Sequence, residues 1–412
     1  MSADVVVVVA GLLALTCLAL WLLELTPPFV PTLLLAGGAP LLLASRGLGI
    51  AEVLQAAVHP VMALFFGGFV LAAGARRHGL DRRLVALVVR GTGGQRRRLV
   101  VGLAVAAAFL SMWMSNIAAA ALLVQVVRPL IDTEPAGSPF RRATLLAVAF
   151  GANLGGLATP IGSGPNAIAI AAVAEPISFA RWMSFALPLV AVLLVVVVVV
   201  IVVGFGVSGR FTADPTPTRL DRSGVAVVVV FALCIAGWLT APLHGVDAAV
   251  VAVIAAAVLF GSRLLGKDEL RDLDWSTLLL ISGGLVLGEV LQTIGVLERF
   301  ADVAAAVPAG ALVLVIVAGA AVLSALMSNT ATATLLVPLG MSVDPTASMA
   351  VLVAVGCSLG APFVISTPPN AMVVGAGVTG RDLLVVGLPI LVVGVVLVAA
   401  TGPWVLAWFG LG

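Results

Sequence analysis

The chain is written in long apolar runs separated by short polar stretches. Runs able to cross a bilayer lie at 4–24, 29–45, 60–75, 143–173, 184–206, 224–240, 246–262, 276–292, 349–377 and 384–409. Crossing about 30 Å of hydrocarbon takes roughly 20 apolar residues in a helix. The run from Ala186 to Gly206 supplies them without a charge. The runs are continuous and rich in Val, Leu and Ala, whereas an outer-membrane barrel needs alternating segments of about ten residues. Composition agrees: 62% of the chain is hydrophobic, 10% is charged and mean hydropathy is +1.24, against about a quarter charged in soluble domains. The pattern predicts an all-α polytopic membrane protein of the cell inner (plasma) membrane.

Two further runs, 99–131 and 311–341, carry Ser-Asn pairs near their middles, at Ser115-Asn116 and Ser328-Asn329. A lone lipid-facing helix would leave those groups unpaired. Arg96, Arg97 and Arg98 precede the first run and Arg141 and Arg142 follow it. Basic loops stay in the cytoplasm, so both ends of this run belong on one side and it reads as a re-entrant hairpin. Treating 311–341 alike leaves about ten crossings. With the N-terminus outside, all but Arg46, Arg181 and Arg299 of the 21 Lys and Arg are cytoplasmic. Both termini are therefore expected outside. The run Val5–Leu25 lacks a basic flank and a small-residue cleavage site and reads as a retained span. The stretch 208–222 reads as an ordinary connection.

The polar motifs recur in order. Phe66-Gly67-Gly68-Phe69-Val70-Leu71, Ser115-Asn116 and Thr159-Pro160-Ile161-Gly162-Ser163-Gly164-Pro165-Asn166 are followed by Ser282-Gly283-Gly284-Leu285-Val286-Leu287, Ser328-Asn329-Thr330 and Ser366-Thr367-Pro368-Pro369-Asn370. Similar separations relate them: 216 residues from Gly67 to Gly283, 213 from Ser115 to Ser328 and 204 from Asn166 to Asn370. An odd number of crossings lies between the hairpins, so the second repeat is inverted. Inverted repeats with broken helices mark secondary transporters, whose site sits near the midplane where the repeats meet. Pro and Gly clusters free backbone groups that lipid does not tolerate. The spans 143–173 and 349–377 are expected to unwind at Gly162–Asn166 and Ser366–Asn370.

This centre offers hydroxyls (Ser111, Ser115, Ser163, Ser324, Ser328, Thr330, Ser366, Thr367), carboxamides (Asn116, Asn166, Asn329, Asn370), freed carbonyls and helix N-termini. Neutral oxygens suit a hard monovalent cation such as Na⁺. Helix N-termini and side-chain donors suit an anion. No Lys, Arg or His lies within these motifs, so an anion's countercharge has to arrive with it, as bound Na⁺.

Trp21-Leu22-Leu23-Glu24, the stretch from Phe66-Gly67-Gly68 through His78-Gly79-Leu80-Asp81, Ser111-Met112-Trp113-Met114-Ser115-Asn116 and both Pro-Asn motifs resemble the divalent anion/sodium symporter family, which carries di- and tricarboxylates or sulfate. The likeness implies a homodimer working as an elevator. Scaffold parts would be 1–98 and 223–310, and transport parts 99–222 and 311–412. It also implies one Na⁺ site at Ser111, Ser115, Asn116 and Gly162, and a second at Ser324, Met327, Asn329 and Ser366, where Met327 contributes its carbonyl. The anion would be held by Asn116, Asn329, Thr330 and Thr367, with Ser163 at the first break as a further candidate. The family's Ser-Asn-Thr is here Ser115-Asn116-Ile117, so one hydroxyl facing the substrate is replaced by an alkyl group. The family's first Pro-Pro-Asn is Gly164-Pro165-Asn166, and Gly makes the same break.

The reading is Na⁺-coupled symport of a small divalent anion, a C4-dicarboxylate such as succinate foremost. Sulfate or another inorganic anion, a proton-coupled carrier and an anion exchanger remain open on the same scaffold. Glu24 and Glu289 are candidate proton carriers, though both fit structural roles. Enzyme chemistry lacks its residues: His59, His78 and His244 are scattered, and Cys17, Cys234 and Cys357 fall inside apolar runs. The net charge of +2 points to no nucleic-acid partner. The stretch Arg76 to Arg98 holds eight Arg against Asp81. Lipid phosphates suit it, but a cytoplasmic interfacial helix that fixes topology accounts for it more simply.

Overall fold

The computed structural model describes residues 3–135, 137–211 and 219–411. Within the connection 208–222, residues 212–218 lie outside this description. Two single turns, Ala44–Arg46 and Ala241–His244, stand apart from the helices numbered here. The first repeat comprises α1 (Ala3–Leu22), α2 (Phe29–Leu43), α3 (Ile50–Ala57), α4 (Pro60–Arg77), α5 (Leu80–Gly91), α6 (Arg96–Ser111), α7 (Asn116–Ile131), α8 (Pro139–Gly155), α9 (Gly164–Ala172) and α10 (Phe179–Gly204). The second runs α11 (Arg222–Leu239), α12 (Ala248–Gly261), α13 (Lys267–Arg271), α14 (Trp275–Thr293), α15 (Val296–Ala304), α16 (Ala309–Leu326), α17 (Asn329–Val343), α18 (Ala347–Leu359), α19 (Pro368–Gly375) and α20 (Gly380–Trp408).

Each helix thus has a counterpart ten places on, and small details recur with it. Both α3 and α13 start on a Gly whose amide is capped by a Glu three residues later, Glu52 at 3.0 Å and Glu269 at 2.7 Å. Both α5 and α15 start on a left-handed Gly, Gly79 (φ 67°) and Gly295 (φ 74°). The hairpins are α6–α7 and α16–α17, and both arms of each pack against the following helix, α8 or α18.

Seven helices among the described residues are long and apolar enough to cross a membrane. The expected ten crossings divide accordingly. The runs 143–173 and 349–377 are each two short helices around a break, and 246–262 forms the 14-residue α12.

The breaks themselves lie earlier than expected. Residues 156–163 and 360–367 are non-helical, while Gly164-Pro165-Asn166 and Pro368-Pro369-Asn370 form the first turns of α9 and α19. Proline at the first positions of a helix loses no hydrogen bond and has its φ preset. It therefore starts the second half-helix instead of interrupting the first.

The repeats interlock through their Gly-Gly pairs. Helix α4 packs on α12, and its counterpart α14 packs on α2. A methyl at Gly67 would lie 2.5 Å from Ala252 Cβ, and one at Gly283 would lie 2.3 Å from Thr32 Oγ1. The second glycine of each pair faces the hairpin and broken-helix bundle: Gly68 meets Ile161 and Gly284 meets Thr334. One glycine seats the helix on its neighbour, and the next lets the bundle approach its backbone closely.

Basic loops gather at one end. Arg77 pairs with Glu269, Arg96 with Glu134 and Arg142 with Asp382 (2.9 Å). Arg210 donates to Gly93 O at 3.0 Å. Together these contacts join 76–98, 134–142, 210, 269 and 382. Asp81 is turned into the fold, and burial holds its carboxyl above the usual carboxylate range.

Candidate functional site

The hairpin tips and helix breaks converge on one cavity of about 730 Å³. Four helices begin at its wall: α7 after Ser115 and α19 after Thr367, whose hydroxyls cap them, and α9 after Ser163 and α17 after Ser328, whose hydroxyls do not. Their unpaired amides and aligned dipoles make the wall electropositive. Among the described residues lining it there is no Lys, Arg or His; Glu24 and Asp274 supply carboxylates. Apolar wall comes from Phe65, Phe69, Ile117, Ile161 and Leu280.

Behind the wall the repeats carry the same bond. Ser111 Oγ donates to Asn116 Oδ1 at 2.6 Å, and Ser324 Oγ to Asn329 Oδ1 at 2.7 Å. Ser111 and Ser324 are fully buried, so they sit behind the cavity, whereas Asn116 and Asn329 line it. Each Oδ1 is held by a buried serine, and no hydrogen bond among the described residues engages either amide nitrogen. Ser324 Oγ also lies against Cys357 O. One hydroxyl proton then serves two acceptors, which crowds oxygen lone pairs together as a hard cation requires. In the first repeat, a methyl on Gly156 would lie 2.5 Å from Asn116 Oδ1 and 3.0 Å from Gly162 O. These two oxygens therefore flank a position that glycine keeps open.

Each candidate residue can be placed. Ser115, Gly162, Ser163, Met327, Thr330, Ser366 and Thr367 all line the cavity. Met327 is extended (φ −152°, ψ 178°) and outside the helical ladder. Ser366 Oγ is committed to Ala325 O at 2.6 Å, tying the second break to the second tip. Ser163 Oγ is buried with no hydrogen-bond partner among the described residues. Thr330 faces Gly164, where a methyl would lie 2.3 Å from its Oγ1. Glycine at 164 therefore lets the second tip touch the first break, beyond permitting the break itself.

Asn166 and Asn370 are not at the cavity wall as ligands; both are 0% exposed. Asn166 Nδ2 donates to Gly156 O and Thr159 O at 2.8 Å each. Asn370 Nδ2 donates to Ala361 O (3.0 Å) and Phe363 O (2.9 Å). Each closes its unwound loop by satisfying freed carbonyls. Asn153, which belongs to none of the repeated motifs, joins this network: its Nδ2 donates to Asn370 Oδ1 at 3.1 Å, bridging the repeats. A lone carboxamide inside an apolar span was the available signal.

A second cavity of about 640 Å³ lies farther along α14, lined by Gly284, Gly288 and Glu289, with His59, Pro338 and Ser342 opposite. The first cavity is lined by the start of α14, Asp274 to Leu280, so one helix walls both.

The family model described as CitMHS, Citrate transporter, matches residues 18–356. The chain belongs to the citrate transporter family. It is a multi-pass membrane protein with the inverted-repeat, hairpin and broken-helix fold described above. This family member is 28% identical over 425 residues to an uncharacterized transporter of Haemophilus influenzae, spanning 95% of this chain and 91% of the relative. It is likewise 28% identical over 410 residues to the sodium-dependent dicarboxylate transporter SdcS of Staphylococcus saprophyticus, covering 87% and 78% of the two chains. The crystal structure of the YdaH transporter of Alcanivorax borkumensis superposes with a TM-score of 0.61 at 15% identity, over 94% of this chain and 100% of that one. That likeness is one of fold.

Proposed function

We propose that this family member is a Na⁺-coupled symporter of a small divalent anion, with a C4-dicarboxylate such as succinate as its substrate. The observation that carries the reading is the pair of tip asparagines. Each gives its Oδ1 to a buried serine and lines a cavity ringed by four helix N-termini, where its amide nitrogen would donate to the anion. A cation held at Oδ1 pulls electron density from the amide and strengthens the donor facing the anion. Ser111, Ser115, Asn116 and Gly162 would hold one Na⁺, and Ser324, Met327, Asn329 and Ser366 another. Asn116, Ser163, Asn329, Thr330 and Thr367 would hold the anion. Neither charge is stable there alone, which couples them. The 28% identity to a sodium-dependent dicarboxylate transporter supports both halves of the reading.

Alternating access would move the parts 99–222 and 311–412 as an elevator against a scaffold of 1–98 and 223–310, in a homodimer. Both termini would be outside, so the arginine-rich end, toward which the main cavity reaches past Asp274, faces the cytoplasm. A proton-coupled carrier is the second reading, because Glu24 and Asp274 place carboxylates in the cavity. The test is uptake of labelled succinate and sulfate into proteoliposomes with Na⁺ replaced by K⁺ or choline. Succinate uptake should collapse without Na⁺. Uptake indifferent to Na⁺ but driven by a proton gradient would select the second reading.

A further inference from the structure

We propose that a basic cavity between the ends of two spans binds the phosphate ester of an anionic phospholipid headgroup. This cavity, about 400 Å³, is separate from the central one and is lined by Arg77, His78, Gly79, Arg82, Arg219 and Asp221, with Ala86 beside them. Its three arginines come from three segments: the end of α4, the first turn of α5, and the connection leading into α11. Helix α5 also directs its amino end, at left-handed Gly79, toward it.

The nearby acids offset only part of this charge. Asp221 is occupied in capping α11, accepting from Gly224 N at 2.7 Å. Asp81 is buried, at 2% exposure, and bonds the amide of Arg82. Arg77 pairs with Glu269 through one nitrogen, and a guanidinium has five donors in a planar fork that matches phosphate oxygens. His78 is held through Nε2 at Leu264 O, 3.1 Å away.

Position selects a lipid over a free ion. The cavity lies where the span Ile50–Arg77 ends and the span Arg222–Leu239 begins, which is the depth of the headgroups. From there Val225, Val228, Val229 and Leu233 run exposed along α11, an apolar track on which acyl chains can lie. Basic pockets between helices on the cytoplasmic side take such headgroups.

The test titrates the purified full-length protein with phosphatidylglycerol, phosphatidylcholine or inorganic phosphate, reading thermal stability. The variants are Arg82→Gln with Arg219→Gln, both at exposed positions, and Arg90→Gln on the same helix but outside the cavity. Phosphatidylglycerol should act at about tenfold lower concentration than phosphatidylcholine, and the double variant should lose that preference, since each basic residue near an anionic lipid contributes roughly a factor of five. Arg90→Gln should keep it. If inorganic phosphate reproduces the whole effect, the cavity takes phosphate but the lipid assignment falls. Equal response to both lipids, or a double variant that behaves as the parent, overturns the site.

Discussion

The two hairpin tips share a Ser-x-x-Met-Ser-Asn skeleton and differ in the residue that follows it. In the first, Ser111 bonds Asn116 and the next residue is Ile117; in the second, Ser324 bonds Asn329 and the next residue is Thr330. The bonds match to 2.6 and 2.7 Å, and both asparagines start a helix. What the repeats keep in common is thus the oxygen pocket behind the wall. What they let diverge is a position on the cavity surface, Ile117 against Thr330. Ile117 is 45% exposed toward a cavity whose opposite tip offers a hydroxyl. Under the proposed symport, ion coupling would belong to the shared part of the design and substrate choice to the asymmetric part.

The largest expected effect tests the shared part. Asn116→Ala and Asn329→Ala should each cut Na⁺-driven succinate uptake by about 100-fold, because each removes a buried acceptor and a donor to charge, together worth roughly 3 kcal/mol. Similar losses at the two positions would uphold the equivalence of the tips, and a fully active Asn329→Ala would break it. Next come the Gly-Gly pairs. Gly284→Ala puts a methyl 2.2 Å from Thr334 Cγ2 and 3.0 Å from its Cβ, whereas Gly68→Ala meets Ile161 Cδ1 at 2.8 Å, the end of a flexible chain. Overpacking costs about 1–3 kcal/mol. The initial uptake rate should fall about tenfold in Gly284→Ala and only about threefold in Gly68→Ala. Equal rates in both variants would show that the closer contact at Gly284 is no more demanding than that at Gly68.

Much of this arrangement was legible in the residue order, for physical reasons. Lipid forces every interruption of an apolar run to have a partner, so Ser115-Asn116 and Ser328-Asn329 announced hairpins, and their matched order announced the inverted repeat. Direction was harder to read. Pro165 and Pro368 mark a discontinuity, but proline is compatible with either the end of one helix or the first turn of the next, and the structure takes the latter. Asn166 and Asn370 carry the same groups as Asn116 and Asn329, yet they face freed carbonyls of their own loops. A carboxamide's identity fixes its inventory of donors and acceptors; only the path of the chain fixes where they point. Asn153 reached its partner 217 residues away, beyond any local pattern.

The serines sharpen the comparison further. Among the described residues, Ser324 serves two acceptors, Asn329 Oδ1 and Cys357 O, while Ser111 has the one side-chain bond to Asn116. If both pockets hold Na⁺, removing the hydroxyl should hurt the second more. Ser324→Ala is expected to raise the Na⁺ concentration for half-maximal uptake about tenfold, and Ser111→Ala about fivefold, within the range of about 1–1.5 kcal/mol for a lost hydrogen bond. The reverse order would place the tighter ion in the first repeat.

Ile117→Thr tests the asymmetric part and carries the smallest expected change. A threonine there supplies the hydroxyl that Thr330 supplies in the other tip, making the residue after each asparagine alike. Its gain is limited, because the hydroxyl exchanges a bond to water for one to the anion, and a net hydrogen bond to a charged group is worth about 1.5 kcal/mol at its lower range. Losing part of the half-exposed alkyl surface of Ile117 offsets some of that, since a fully buried methylene is worth about 0.8 kcal/mol. The succinate concentration for half-maximal uptake should therefore fall about threefold, with Na⁺ dependence unchanged because the Ser111–Asn116 bond is untouched. A shift in Na⁺ dependence would show that the two surfaces of the tip are not separable. An unchanged succinate response would mean that Ile117 stays clear of the bound anion and that specificity is set elsewhere on the wall.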